Sequence, residues 1–337
     1  MKKQIWAQLP PLPQPALVAL VEGYQSAGIE GLWSSQTFAS PFIPLSAAAS
    51  VSETLQLGTG IALAFVRSPL ETALNAIELD RISQGRCVLG LGSSAKSLND
   101  AFGVEYGKPL RHMREVISMV RTLIAGAHTG ELGVLEGEYH QLDLRHFRTF
   151  EPPVRSEIPI YLPAVFEKAV QMSGELADGL LAHPLWCDSW IHNQLESNLK
   201  LGLDKAGRDR GDVKVNLQMF VAINDDKQEA INDARQTIAY YSQSPQYHRY
   251  FEAIGFAKEA LGIQEAFARS DFEAMANACS DEMVEAIALV GSMDEVQKRF
   301  ASRTVAADAA TPVIPHVGLN EEKTLFYTQQ IANAFYG

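Results

Sequence analysis

The sequence predicts an α/β chain folded as a (β/α)8 TIM barrel with insertions over the barrel mouth, and three observations carry this expectation. Short apolar runs alternate with amphipathic helical stretches eight times along 337 residues. That alternation asks for parallel strand pairing through right-handed crossovers. No period of about 20–50 residues recurs, as a solenoid would require, and α/β barrels of this length occur as one domain. We therefore read residues 1–337 as one barrel domain. Closing the sheet removes its edges; the rival is an open, doubly wound sheet, which the same alternation permits.

Each element has its own signal. Gln4 to Leu9 reads as the first strand, and Ala16 to Ala27 has helical apolar spacing that stops at Gly28. Gly31 to Ser34 is a second short strand, and Leu45 to Ser52 a helix. Leu55 to Phe65, rich in Leu, Ile and Val, reads as one long third strand. Pro69 opens the next helix, proline being favoured in a first turn, and this helix runs to Ser83. Arg86 to Leu91 is the fourth strand and Leu110 to Ala125 its helix; Ile158 to Leu162 and Glu167 to Ala177 form the fifth pair. Gly179 to Ala182 leads to a helix over Ser189 to Lys205, and Val213 to Ile223 to one over Lys227 to Tyr241. Pro312 to Val317 reads as the eighth strand and Glu321 to Phe335 as the closing helix. Residues 127–157 and 242–311 are too long for simple connections and read as insertions. Helices are expected inside the second, at Met283 to Val290 and Glu295 to Ser302.

Composition narrows the function classes. With 47% hydrophobic and 20% charged residues the chain can build an ordinary core, which at about 300 residues buries roughly 75% of the unfolded surface. The formal net charge of −12 argues against a nucleic-acid surface, which needs clustered Lys and Arg. Any anionic ligand must then be held by local devices such as a helix N-terminus or a single basic residue. Cys87, Cys187 and Cys279 are scattered without metal spacing, and read as buried thiols; no metal site is expected. Met1 to Trp6 is followed by Pro10, Pro11, Pro13 and Pro15 rather than an apolar signal core. No run of about 18 apolar residues exists to span a membrane. A cytoplasmic protein without membrane or nucleic-acid partners is expected.

Barrels of this kind place reactive groups at the C-terminal ends of their strands. Gly92, Ser93 and Ser94, with Lys96 beyond them, form a small-residue loop that could present amides to an anion, or be a plain turn. Ala164, Val165, Phe166, Glu167 and Lys168 lead into a helix N-terminus suited to a phosphate or carboxylate, unless Glu167 merely complements the helix dipole. His183 ends the sixth strand, as a functional ring or a structural one. Arg67, after the third strand, suits an anionic ligand or an ion pair with a neighbouring loop. Asp80, Arg81, Arg111, Arg114 and Glu115 read as salt-bridged faces of outer helices. No carboxylate pair sits at glycosidase-like positions, and no GxSxG elbow, HExxH or P-loop is present.

Six blocks, in order, resemble the bacterial luciferase-like superfamily of flavin- and F420-dependent oxidoreductases. They are Leu57-Gly58-Thr59-Gly60-Ile61-Ala62 with Arg67-Ser68-Pro69, Gly85 to Ser93, Arg111 to Glu115, Gly137 to His140, Pro159 to Ala164, and Gly174 to Gly179. Ala182-His183-Pro184, Tyr240-Tyr241 and Ser244 to Tyr247 look more like the F420-dependent subgroup. The resemblance implies a luciferase-like barrel whose mouth holds the ring of deazaflavin coenzyme F420, or alternatively FMN. It implies a cis peptide at Gly60-Ile61, with Gly60, Ile61 and Ala62 supporting the ring. The phosphate end would meet Gly92, Ser93, Ser94, Lys96 and residues Ala164, Val165, Phe166, Glu167 and Lys168. The chain departs from the pattern after the second strand, where several F420 relatives carry an acidic residue and a histidine and this chain carries Gln36 and Thr37. Neither is an ordinary acid or base near neutral pH, so His183 is the substitute candidate for proton donor beside Gln36 and Thr37. The glycine-rich turn expected after the fifth strand is here Val165-Phe166-Glu167.

Three readings follow: hydride transfer between F420 and a small organic substrate, an FMN-dependent monooxygenase using reduced flavin and O2, and a flavin-binding barrel without catalysis. A homodimer is implied by the resemblance.

Overall fold

The structure, a computed structural model, describes residues 3–36 and 39–337. Eight parallel strands form a closed ring: β1 (Gln4–Gln8), β2 (Gly31–Ser34), β3 (Gln56–Thr59), β4 (Cys87–Gly92), β5 (Ile160–Ala164), β6 (Gly179–Ala182), β7 (Lys214–Ile223) and β8 (Ala309–Val313). Neighbours follow chain order, and β8 pairs with both β1 and β7, so no barrel edge remains open. The outer ring is α1 (Gln14–Ser26), α2 (Phe42–Val51), α3 (Pro69–Ile82), α4 (Pro109–Gly126), α5 (Glu167–Leu176), α6 (Glu196–Ala206), α7 (Lys227–Ser242) and α8 (Glu321–Phe335). In α4 the buried Met113, Val116, Ile117, Val120 and Ile124 recur at helical spacing, giving one stripe toward the sheet.

The lumen is packed by pairing large side chains with glycines. Trp6 and Trp33 stack with ring centroids 4.3 Å apart, and Tyr161 tilts against Trp33 at 5.6 Å. Val88, Leu181 and Ala309 complete this layer. Gly58 lies in register with Trp33 on the next strand, where a Cβ would come within 2.2 Å of the indole. Gly179 does the same for Tyr161, where a Cβ would lie 2.3 Å from the ring.

Several boundaries differ from the sequence expectation. The third strand is not continuous over Leu55 to Phe65: it stops at Thr59, passes through a cis Gly60-Ile61 peptide, and resumes as the two-residue strand Ala62–Leu63 against Leu91 and Gly92. Composition reads one strand through the break, while the cis Gly60-Ile61 peptide is the one the family resemblance implied. The eighth strand is Ala309–Val313 rather than Pro312 to Val317, because Ala309 and Ala310 bridge β1 and β7 while Pro312 sits within the strand. Met283 to Val290 is not one helix. Helix Asp281–Ile287 gives way to strand Leu289–Gly291, which extends the sheet beside Val221 to Ile223. Before α6 the chain forms a π-helical turn, Ile191–Leu195. The first long segment folds as a hairpin, Val134–Glu136 with Gln141–Asp143. Among the described residues no helix is long and apolar enough to cross a membrane.

Candidate active site

Two groups of side chains meet the C-terminal ends of the strands. The first lies past β2 and β3. Gln36, nearly buried at 8% exposure, donates its backbone N–H to the Ile61 carbonyl at 3.1 Å. Its side-chain Oε1 accepts from the Leu63 N–H at 2.9 Å and from the Arg67 guanidinium at 2.6 Å. Gln36 is thus a clasp across the Gly60 to Leu63 segment, where a β-carbon on Gly60 would come within 2.8 Å of the Trp33 Cβ. Arg67 lies over the Phe42 ring at 5.5 Å and has no carboxylate within ion-pair distance among the described residues. Burial pushes its pKa down, opposed by the nearby charge of Glu71. Thr37 lies outside the described residues.

The second group lies past β6, β7 and β8 and is aromatic. His183 contacts Tyr241 and Tyr247 with centroids at 5.8 and 5.4 Å, and Tyr241 in turn meets Phe220 and His316. Nδ1 of His183 accepts the Leu185 backbone N–H at 3.3 Å, which assigns the proton of the neutral ring to Nε2, 3.5 Å from the Tyr247 hydroxyl. His183 keeps some solvent exposure, yet packed protein surrounds the ring, and this desolvation brings its pKa down to about 4. Near neutral pH the ring is therefore a hydrogen-bond donor at Nε2 and carries no positive charge. Burial likewise raises Tyr241 to about 12 and raises Tyr247. Tyr247, from the second insertion, thereby reaches the end of β6 at His183.

Between these groups lie the loops assigned to a phosphate. Ser94 adopts a left-handed φ of 57°. The carbonyls of Ser93 and Ser94 turn into the protein, accepting from Asn99 Nδ2 at 2.7 Å and the Tyr106 hydroxyl at 3.1 Å. Gly92 admits Ile61 and Pro163 over the strand end, since a β-carbon there would meet them at 2.2 and 2.7 Å. On the adjacent strand, Ala164 and Val165 lead to Phe166, which begins α5 with no side-chain cap, and leave its first amides open. Three charged candidates have partners elsewhere: Lys96 with Asp100 at 2.7 Å, Glu167 with Arg249 at 3.2 Å, and Lys168 with Gln171 at 3.2 Å.

The remaining motif blocks build scaffold. Glu115 accepts the backbone N–H groups of Glu138, Tyr139 and His140 at 2.6, 3.0 and 2.7 Å, a clamp rather than the salt bridge expected of it. His112 stacks between Phe65 and Tyr139 and meets His140 nitrogen to nitrogen at 2.9 Å. Arg114 pairs with Glu175, and buried Asp80 with Arg155 at 2.6 Å. Sequence reasoning missed the roles of Phe42, Tyr106 and Phe220, which carry no polar signature beyond the Tyr106 hydroxyl. Among the described residues no cluster of His, Cys, Asp and Glu could hold a metal ion.

Comparison with known proteins agrees with this architecture. The chain is 32% identical over 282 residues to an uncharacterized protein of Mycobacterium tuberculosis, covering 82% of this chain and 83% of that one. It is 28% identical over 286 residues to a 5,10-methylenetetrahydromethanopterin reductase of Archaeoglobus fulgidus, covering 81% of each. The coenzyme F420 dependent tetrahydromethanopterin reductase structure from Methanopyrus kandleri superposes with a TM-score of 0.82 at 23% identity, over 99% of this chain and 98% of that one. The profile of the luciferase-like monooxygenase family matches residues 6–309, and the chain belongs to that family of barrel oxidoreductases.

Proposed function

We propose that this protein transfers a hydride between deazaflavin coenzyme F420 and a small organic substrate, working as a homodimer. The observation that carries the reading is the character of the mouth. The groups named there, Gln36, Arg67, His183, Tyr241, Tyr247 and His316, include no carboxylate, and burial lowers the pKa of both imidazoles, that of His183 to about 4. Such a set positions and desolvates a reactant but does not supply an acid–base pair.

The residues present fit a ring with a phosphate tail. Gln218, partly buried on β7, has a side-chain amide nitrogen with no acceptor among the described residues. A heterocycle edged with carbonyl oxygens supplies such an acceptor. The open first turn of α5 beside the Ser93–Ser94 loop suits an anionic tail. Gly60, Ile61 and Ala62 would support the ring, and Gly92, Ser93, Ser94 and residues 164–168 the tail.

When bound, the deazaflavin would supply the hydride acceptor or donor. The chain would do the rest. Nε2–H of His183 would donate to an oxygen of the substrate and orient it. Tyr241, Tyr247 and Phe220 would exclude water around that hydrogen bond and so strengthen it. Gln36 would hold the Gly60 to Leu63 backbone in place from outside.

The test is titration of the purified protein with F420 and, separately, FMN, read by ligand fluorescence and by melting temperature. F420 at 100 times its dissociation constant should stabilise the fold by about 2.7 kcal/mol. FMN binding alone would favour the monooxygenase reading suggested by the family's description, and binding of neither would end both. Light scattering tests the dimer.

A further inference from the structure

We propose that Arg67 receives an anionic oxygen group, in the first instance a carboxylate, on the organic substrate; this rests on the oxidoreductase reading above and adds the substrate's chemical class. Arg67 is bonded unlike the chain's other arginines. Every other non-exposed arginine among the described residues donates to a carboxylate or to a backbone carbonyl: Arg155 to Asp80, Arg303 to Asp188 and the Ile287 carbonyl, Arg86 to the carbonyls of Leu55 and Ser52. Among the described residues Arg67 donates only to a neutral carboxamide, Gln36 Oε1, and its guanidinium otherwise rests over the Phe42 ring.

That carboxamide oxygen is already shared with the Leu63 N–H, so it orients the guanidinium without neutralising it. Glu71 contributes a favourable field, but its carboxylate accepts from Asn75 at 2.8 Å and is not within ion-pair distance of Arg67. The rest of the chain offers little competition for an anion. Lys96 is taken by Asp100, His183 is uncharged, and a net charge of −12 repels anions elsewhere. A half-buried guanidinium with its fork only partly used is a receptor for planar, two-oxygen groups. It stands beside the Gly60 to Leu63 segment, on the opposite side of the mouth from the aromatic wall.

Isothermal titration of the F420-loaded protein with acetate, hexanoate and benzoate against acetamide, hexanamide and benzamide tests this. At least one acid should bind about tenfold or more tightly than its amide. Arg67→Met should erase the preference and Arg67→Lys keep part of it. Gln36→Glu should also erase it, because it retains both acceptor contacts while placing a competing carboxylate on Arg67. Melting curves establish that the variants are folded, and either erasing variant suffices if the other is not. No acid in the panel binding better than its amide, or a preference that survives both Arg67→Met and Gln36→Glu, would overturn the assignment. So would a loss of F420 affinity of more than about tenfold in Arg67→Met without an acid preference in the wild type, which puts the arginine on the cofactor. If the wild type binds neither F420 nor FMN, the functional reading fails, while the acid–amide comparison on the same protein still decides the role of Arg67.

Discussion

The outer ring and the barrel mouth treat charge in opposite ways. On the outer ring, charges are matched: Asp80 with Arg155, Arg114 with Glu175, Arg121 with Asp178, and Glu115 with three backbone amides. At the mouth the loop charges Lys96 and Glu167 are paired, but among the described residues two inner groups are not: Arg67 touches a neutral amide, and the neutral His183 is desolvated with no charged partner. Matched charge fixes one geometry and leaves nothing for a ligand. Unmatched polar groups cost folding free energy and are retained where a ligand can complete them.

Substitutions can break this contrast, and the outer ring should give the largest stability losses. Asp80→Ala strips a buried carboxylate from Arg155 and leaves the Cys87 N–H without its acceptor; it should cost about 3 kcal/mol in urea denaturation. Glu115→Ala releases the three amides of the 138–140 turn and should cost about 2 kcal/mol, with faster hydrogen exchange confined to that hairpin.

A smaller effect should come from His183 and would sharpen the contrast. Its pKa is depressed in the folded state, to about 4, against an ordinary value near 6.5. The unfolded chain therefore binds the proton first as pH falls, so this contribution is fully present above about pH 6.5 and is lost as pH drops toward 4. His112, His140 and His316 are shifted in the same direction by burial. The melting temperature should fall across that window, and His183→Asn should make the fall shallower while lowering activity at neutral pH. An unchanged slope would mean that His183 is not desolvated. The smallest effect belongs to Lys96→Ala, whose exposed pair with Asp100 should be worth less than about 0.5 kcal/mol by thermal melting.

The closed barrel was legible because alternation of strand and helix is written residue by residue. The same holds for the outer helices, such as α4, whose buried face follows its apolar spacing. What escaped was register. Leu55 to Phe65 reads as one strand by composition; the family resemblance implied the cis peptide at Gly60-Ile61, and packing against Trp33 and pairing to Leu91 show where the strand breaks and resumes. Leu289–Gly291 became a strand because β7 outruns the barrel and offers it an edge.

The candidate site divides along the same line. Residue types and strand-end positions drew attention to His183, Gln36, Arg67 and the Gly92–Ser94 loop from the chain alone. Which of them are satisfied and which are left wanting depends on partners distant in sequence, as with Gln36 and Arg67, 31 residues apart, or His183 and Tyr247, 64 apart. By itself, then, the sequence determined the elements, the barrel and the list of polar groups at its mouth, because propensity and periodicity are local. Tertiary structure alone decided the charge state of His183 and the open valence of Arg67, because desolvation and ion pairing are properties of what the fold brings alongside.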